Sequence, residues 1–522
     1  MLSSSYCLPY FLLLLTLKCR QAASQTPDKV SSRLEIHIPH SLFKEEGYAH
    51  REALFGIPPY GGSIYQPVYY ADSDLCDPNV DTRKGYPIRP TGSDGKMGPW
   101  PSPYILMVDR GSCTFVQKVR NAQRSGAAAV IIADDVCLCS DGDSCSPTNP
   151  GDPCQSGEPI MADDGSGTDI SIPSFLMFKK DADQVKAQVK ANNPVQMEMA
   201  WNLPTPDDRV EYDLWTVPSD KVSQDFQKTF KTAAKALGSH AYFSPHMYIY
   251  DGVKSRCRGQ DGQSMCYNLC TNHGRYCATD PDNDLDKGIS GADVVTESLR
   301  RMCIWNHYGK EDGIGEKWWD YVTEFMFRCD TPEFFSSEVC IKDAYKHAGV
   351  DDKVITQCMN DSGGTTEDKA NTILEEQIEK AKVMGVVVIP TAYVNDSAIR
   401  GKLAFSTLFT AVCSGFAENT VPPICGTCSS CSDQAACTIN GFCSDKGSSA
   451  NAGVAKSTFY ATILALCSGF GILGFMHWRK TNQDMREHVK GILAEYMPLE
   501  TDDGEIGPAM DFARRTGTTE IS

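Results

Sequence analysis

The sequence predicts a multidomain α/β protein anchored in a membrane by one transmembrane helix, and three observations carry this. The first is the apolar run Phe459–Trp478, 20 residues long, enough to cross the roughly 30 Å hydrocarbon core of a bilayer as a helix. Arg479 and Lys480 follow it at once, which places the C-terminal side in the cytosol. The second is cysteine usage. Of 23 cysteines, Cys7, Cys19 and Cys467 lie in apolar runs, and the other 20 fall between Cys76 and Cys443. An even number on one side of the span implies disulfides formed in an oxidising compartment. The third is the alternation of strand and helix signals through the roughly 430 residues before the run, enough for two or three domains with real cores.

The N-terminus agrees with this orientation. Leu8–Leu17 is a short apolar core and Ala22-Ala23-Ser24 offers small residues for cleavage, so 1–24 reads as a secretory signal peptide, although its start lacks a positive charge. The sequons at Asn360 and Asn395 mark glycosylation on the same side of the membrane. The formal net charge of −18 argues against a nucleic-acid partner, which needs basic surfaces; a solvated acidic surface open to neutral or basic peptides is expected.

The first domain spans 34–201. Tyr104–Val108 reads as a buried strand, Asp109–Cys113 as a turn, and Phe115–Ser125 as a helix with Phe115, Val119 and Ala122 on one face. Gly126 ends that helix and Ala127–Ala133 is a second apolar strand, closed by Asp134-Asp135. Ile172–Met177 is a further strand. Between them, Cys137, Cys139, Cys145 and Cys154 lie among Gly, Asp, Ser and Pro, a surface insertion stapled by disulfides, with a metal site as the alternative. Arg110-Gly111-x-Cys113-x-Phe115, Asn121-Ala122 and Gly126-Ala127-x-Ala129-Val130 resemble a protease-associated (PA) domain, generally a non-catalytic binding element.

The second domain spans 209–416. It opens with Arg209–Thr216, then a helix at Ser223–Leu237, a strand at His246–Tyr250, a Cys-rich helical middle from Cys257 to Cys358, and a closing stretch Gly385–Asn395. Ile389-Pro390-Thr391 before an aromatic strand is similar to the cis-proline region of thioredoxin-like proteins, so the middle is expected as an insertion within that fold. Cys425, Cys428, Cys431, Cys437 and Cys443 form a small disulfide knot (425–443), and 444–457 is a flexible Gly/Ser/Ala stalk before the span at 459–478.

Catalytic constellations are absent from the sequence: no Gly-x-Ser-x-Gly elbow and no His-Glu-x-x-His helix. Thiol exchange needs a Cys-x-x-Cys opening the helix after the first core strand. The stretch after Tyr250 has none, and Cys425-Gly426-Thr427-Cys428 lies beyond the fold. A zinc site at Cys425, Cys428, Cys431 and Cys437 is disfavoured in an oxidising compartment. Asp282-x-Asp284-x-Asp286 has the opening of a calcium loop, but its glycine falls late, at Gly288, and Asp293 stands where a bidentate Glu belongs. A solvated acidic turn is favoured, with Ca2+ as the weak cofactor alternative; no metal ligands are assigned. Arg110, in a turn after a core strand, offers a five-donor fork suited to carbonyls or carboxylates. Ala461, Ala465 and Gly469 recur every four residues, a spacing compatible with a homodimer of spans.

The cytosolic tail, 479–522, carries Tyr496-Met497-Pro498-Leu499, the form of a tyrosine sorting signal read by a clathrin adaptor. It has no Cys and only one His, His488, so it cannot build the zinc site of a membrane ubiquitin ligase. The order of parts resembles the plant-type vacuolar sorting receptors. The stretches that carry the resemblance are Arg209–Thr216, Asn272–Ala278, Trp318–Thr323, Ile389–Thr391, Arg400–Leu403 and Tyr496–Leu499. The chain departs from that family in its EGF-like region, reduced to Cys425–Cys443.

The resemblance implies a type I receptor of the Golgi, trans-Golgi network and prevacuolar compartment. Such a receptor binds sorting peptides of soluble vacuolar proteins and is not an enzyme. It implies that Arg110, Gly111, Ser112 and Phe115 lie at the cargo groove, with Cys113 structural and paired to Cys76. A membrane-tethered thioredoxin-like thiol–disulfide oxidoreductase is the alternative. His37, His40 and His50 precede the binding core; if they line the groove, binding weakens between about pH 7 and pH 5.

Overall fold

The computed structural model describes residues 32–78, 85–88, 93, 95, 100–205, 207–443, 468–482 and 485. The expected signal peptide, the stalk and Tyr496–Leu499 lie outside these residues.

The described residues up to Cys443 form one compact unit, which opens with an eight-stranded sheet. Its strands are β1 (Ser32–Ile38), β2 (His50–Glu52), β3 (Gly62–Ala71), β4 (Gly85–Tyr86), β5 (Ile105–Asp109), β6 (Ala129–Ala133), β7 (Ser174–Met177) and β8 (Gln196–Trp201). The order is β1-β8-β3-β5-β6-β7-β2, with β4 beside β3. Strands β3, β5, β6 and β7 are parallel; β1, β8 and β2 add on antiparallel.

The central strands are apolar at nearly every position because both faces are covered. Leu106, Val108, Val130 and Ile132 pack with Val116, Val119 and Ala122 of helix α1 (Phe115–Arg124). On the opposite face Ile105, Met107 and Ile131 pack with Ala182, Val185 and Val189 of helix α2 (Lys179–Lys190). The alternation is the period-2 pleat of a strand. Thr114 caps α1, its hydroxyl accepting from Gln117 N at 3.2 Å. Phe115 is only half-buried, so the apolar face of α1 starts at Val116, one residue later than the helical spacing suggested.

A second, four-stranded sheet follows. Strands β9 (Val210–Thr216) and β10 (Ala241–Met247) are parallel and joined by helix α3 (Lys221–Leu237). Phe226, Phe230 and Leu237 of α3 pack with Tyr212, Leu214 and Phe243. Short strands β11 (Tyr250–Asp251), β12 (Cys270–Thr271) and β13 (Tyr276–Cys277) then lead into helices α4 (Gly291–Tyr308), α5 (Glu316–Arg328), α6 (Glu338–Ala348) and α7 (Asp352–Asp361).

Helix α8 (Thr372–Val383) returns the chain to the sheet, and β14 (Thr391–Val394) pairs antiparallel with β9 and with β15 (Ser397–Ile399). The sheet order β10-β9-β14-β15, with a cis Ile389–Pro390 bond just before β14, is a thioredoxin-like half-sheet. The helical insertion is joined to it by aromatic packing: Phe243 of β10 stacks on Trp319 at 4.6 Å between ring centres, with Trp318 and Trp305 edge-on.

The ten disulfides use all twenty cysteines from Cys76 to Cys443. One outcome corrects the sequence expectation. After helix α9 (Phe405–Ser414), residues 423–440 form two short helices, α10 (Pro423–Cys428) and α11 (Gln434–Asn440), and no strand. Cys413–Cys425, Cys428–Cys437 and Cys431–Cys443 hold them, and Thr438 of α11 meets Thr232 of α3 at 3.3 Å. The expected reduced EGF-like knot is thus a helical extension docked on the thioredoxin-like domain.

The two sheets share one continuous apolar core. At their junction the Tyr60 hydroxyl accepts from Arg400 N at 2.5 Å, Arg400 Nε donates to Glu52 Oε2 at 3.2 Å, and Ser414 Oγ donates to Tyr60 O at 3.0 Å. Gly401 has φ +84°, and a Cβ there would run into the Gly56 carbonyl oxygen. The Arg400-Gly401 stretch is therefore a close-approach joint between domains.

In the second unit, residues 468–482 are helical. No helix of the described residues is long and apolar enough to cross a membrane; the expected span Phe459–Trp478 lies partly outside them.

Candidate functional site

Parallel strands β5 and β6 are in register to their last residues, Asp109 opposite Ala133. The next residues, Arg110 and Asp134, therefore leave the sheet side by side, at the carboxyl ends of the strands where open α/β sheets place their ligand sites. Arg110 N donates to Ala133 O at 2.8 Å. Its guanidinium Nη1 donates to Asp134 Oδ1 at 2.9 Å and to Gln155 Oε1 at 3.2 Å, and sits 6.0 Å over the Phe115 ring. The Asp134 side chain is fully buried while that of Arg110 keeps 28% exposure, so an internal carboxylate holds a cation at the surface.

The turn beyond is tight. Gly111 and Ser112 have φ +103° and +67°, and a Cβ at Gly111 would be strained there. Ser112 is exposed. Cys113 is bonded to Cys76, and α1 grips the Cys76 loop with three polar side chains. Asn121 Nδ2 donates to Leu75 O at 2.7 Å, Gln117 Nε2 to Cys76 O, and the buried Lys118 Nζ to Asp74 O at 2.5 Å. Burial pushes the Lys118 amine below its ordinary pKa, against the pull of Asp74 and Asp109. Thr114 Oγ1 donates to Asp164 Oδ2 at 2.6 Å. Residues 110–115 are thus pinned at both ends and present Arg110, Ser112 and Phe115 at the sheet's end.

The insertion is disulfide-bonded, Cys137 to Cys145 and Cys139 to Cys154, so the metal alternative there is removed. The same holds for the zinc alternative at 425–437. In the 280–288 turn the aspartates accept backbone N–H groups, and Asp293 closes a capping box with Ser290 on α4. That turn is not among the described side-chain groups placed to hold a metal. One such group, Glu35, His37 and Glu198, lies on paired β1 and β8, with His37 2.9 Å from Glu198 and Arg33 against Glu35.

The histidines do not join the Arg110 loop. Stacked on Phe175 at 4.3 Å, the half-buried His50 meets Ser32 Oγ and Tyr48 O. His37 meets Glu198 and His40 packs edge-on to Phe43. None of these contacts reaches residues 110–115, so the condition on which a pH-dependent release was expected, that these histidines line the groove, is not met by the contacts they make.

Asn395 is a second correction. It is buried, with Nδ2 donating to Pro204 O at 2.5 Å and Gly415 O at 3.0 Å and Oδ1 accepting from Glu211 N. A glycan on that nitrogen does not fit. Asn360 is exposed on α7.

Strand order relocates the redox position. The helix that would carry a thiol pair is α3, directly after the central strand β9, and not the segment after Tyr250. Its start, Val217 to Gln224, contains no cysteine; Asp220 caps it by accepting from Ser223 N at 2.6 Å. On the far face of the same sheet lies a group that sequence reasoning missed. Asp213 Oδ1 meets His246 Nε2 at 2.7 Å and Lys380 Nζ at 3.0 Å, and His246 Nδ1 meets Gln377 Oε1 at 3.1 Å. Burial alone would raise the Asp213 pKa, but His246 and Lys380 hold it below the usual carboxylate value.

Comparison with known proteins agrees with this architecture. Residues 210–413 match the vacuolar sorting receptor thioredoxin-like domain and residues 64–185 the PA domain. The chain is 36% identical over 429 residues to vacuolar-sorting receptor 1 of Pisum sativum and 34% identical over 428 residues to vacuolar-sorting receptor 3 of Arabidopsis thaliana. Each match covers 78% of this chain and 62% of the relative, so the chain spans less than two thirds of their length.

Among solved structures, an aminopeptidase from Aneurinibacillus sp. strain AM-1 aligns at 15% identity and TM-score 0.19, over 35% of this chain and 38% of that one. The thiol-disulfide exchange protein alpha-DsbA2 from Wolbachia pipientis aligns at 12% and 0.24, over 40% and 83%. Likenesses this weak carry no argument about function.

Proposed function

We propose that this chain, which carries a vacuolar sorting receptor thioredoxin-like domain after a PA domain and is 34–36% identical to vacuolar-sorting receptors, is a single-pass type I cargo receptor of that family. It binds sorting peptides of soluble vacuolar proteins in the Golgi lumen and carries them toward the prevacuolar compartment. The observation that supports this best is the Arg110–Phe115 loop. It is held by the Cys76–Cys113 bond on one side and by Asp134 on the other, with Ser112 open to solvent. A loop fixed before binding loses little conformational entropy when a peptide docks, and a pinned guanidinium offers directed donors to peptide carbonyls or a carboxylate. Phe459–Trp478 is the span, and Tyr496-Met497-Pro498-Leu499 recruits a clathrin adaptor from the cytosolic side.

Thiol–disulfide exchange has less support: α3 opens without a cysteine, and Cys425 and Cys428 are each bonded elsewhere. Two cellular outcomes test the cargo function. Removing the protein is expected to send soluble vacuolar proteins into the medium, and Tyr496→Ala is expected to move the receptor to the cell surface. Unchanged sorting and unchanged location together would contradict it.

A further inference from the structure

The insertion at 137–155 does more than cover the surface: its last residue reaches into the Arg110 site. Gln155 Nε2 donates to Asp134 Oδ2 at 2.8 Å, and Gln155 Oε1 accepts from Arg110 Nη1 at 3.2 Å. One amide thus closes a ring with the buried carboxylate and the partly exposed guanidinium. Asp134 Oδ1 is already occupied by Arg110, Asp135 N and Val136 N, so Gln155 is the donor found at Oδ2.

The backbone of Gln155 is fixed by the same insertion. Gln155 N donates to Cys137 O and Cys139 N donates to Gln155 O, both at 2.9 Å. Cys154, the neighbouring residue, is bonded to Cys139, and Cys137 to Cys145. A residue at the end of a long Gly-, Ser- and Asp-rich loop would ordinarily sample many positions. Here two disulfides and two backbone hydrogen bonds hold it to one.

We infer that Gln155 is a positioning residue of the peptide site, through which the disulfide-bonded insertion sets the direction of the Arg110 guanidinium. It rests on the cargo-binding function proposed above. The chemistry depends on Gln155 being both donor and acceptor: its N–H faces a carboxylate and its carbonyl faces a cation. An alanine supplies neither. A glutamate supplies the acceptor but sets a second carboxylate against Asp134.

The test is peptide binding by the full-length protein in detergent, using fluorescent propeptides of soluble vacuolar hydrolases as probes, with thermal melting as the folding control. Gln155→Ala is expected to weaken binding about tenfold, the size of one charge-assisted hydrogen bond, read at a temperature where thermal melting shows the variant folded; some loss of melting temperature is expected, since Asp134 Oδ2 loses its donor. Gln155→Glu is expected to bind poorly at about pH 7 and to recover relative to the unmodified protein near pH 5, as its carboxyl gains a proton and again donates. A merely structural role would not produce that pH-dependent recovery. Full binding by both variants overturns the inference alone, as does a Gln155→Glu defect of the same size at both pH values. No binding by the unmodified protein to any probe removes the cargo function and this inference with it.

Discussion

At the scale of single residues, the groups whose protonation bears on stability lie apart from the Arg110 loop. His50 is satisfied when neutral: Nδ1 donates to Tyr48 O at 2.7 Å and Nε2 accepts from Ser32 Oγ at 2.9 Å. Burial lowers its pKa below 6.5, outweighing Glu52. The unfolded chain therefore binds this proton first, and stability falls as pH drops below about 6.5. The melting temperature is expected to fall between about pH 7 and pH 5, and less so in His50→Gln; an equal fall in both would remove His50 as the cause.

Asp213 has the opposite sign. Its depressed pKa stabilises the fold above the unfolded value near 3.9 and is lost only in stronger acid. Asp213→Ala leaves Lys380 beside His246 without a counter-charge and is expected to cost about 3 kcal/mol, read by denaturant unfolding near pH 7. A change below about 1 kcal/mol would show that the trio contributes little. The sequence pointed to Arg110 through its motif, and Asp134 was within reach as well: two adjacent parallel strands ending at 109 and 133 bring 110 and 134 together. Gln155 was not, because the twenty residues of Cys-rich loop between Asp134 and Gln155 hide where that amide goes.

At the scale of elements, the strand–helix–strand run from Tyr104 to Ala133 was legible because its helix and strands bury opposite periodicities. The thioredoxin-like half was harder. Both β9 and β10 are apolar, and sequence cannot say which lies at the centre; pairing with β14 makes it β9. That moves the redox position to α3 and leaves it without a nucleophile. Insulin disulfides are therefore expected to survive incubation with the protein, and sustained reduction would contradict this. Cysteine spacing likewise misled at 425–443, where each pairing serves helix docking. Cys425→Ser opens the Cys413–Cys425 bond and is expected to lower stability by about 2–4 kcal/mol. The stretch Asn272–Ala278, part of the family resemblance, proves to be scaffold: Asn272 Nδ2 reaches the carbonyls of Gly364, Glu367 and Lys369.

At the scale of the whole molecule, the two sheets are joined by Tyr60, Arg400 and Ser414 around the close approach of Gly401 to Gly56. Gly401→Ala must either shift that backbone or leave a left-handed φ and is expected to destabilise by about 2 kcal/mol or more; a neutral effect would mean the joint yields freely. That a PA domain precedes a thioredoxin-like domain was readable from motifs, whereas the joint was not, since it depends on residues some 340 positions apart. The measurement that bears most directly on cargo binding is titration of the full-length protein with vacuolar propeptides, alongside Arg110→Ala. Saturable binding that falls at least tenfold in Arg110→Ala, read at a temperature where thermal melting shows both proteins folded, is the predicted result; the variant is also expected to melt earlier, because Asp134 loses its cation. Equal binding by both proteins, or none by either, would contradict it.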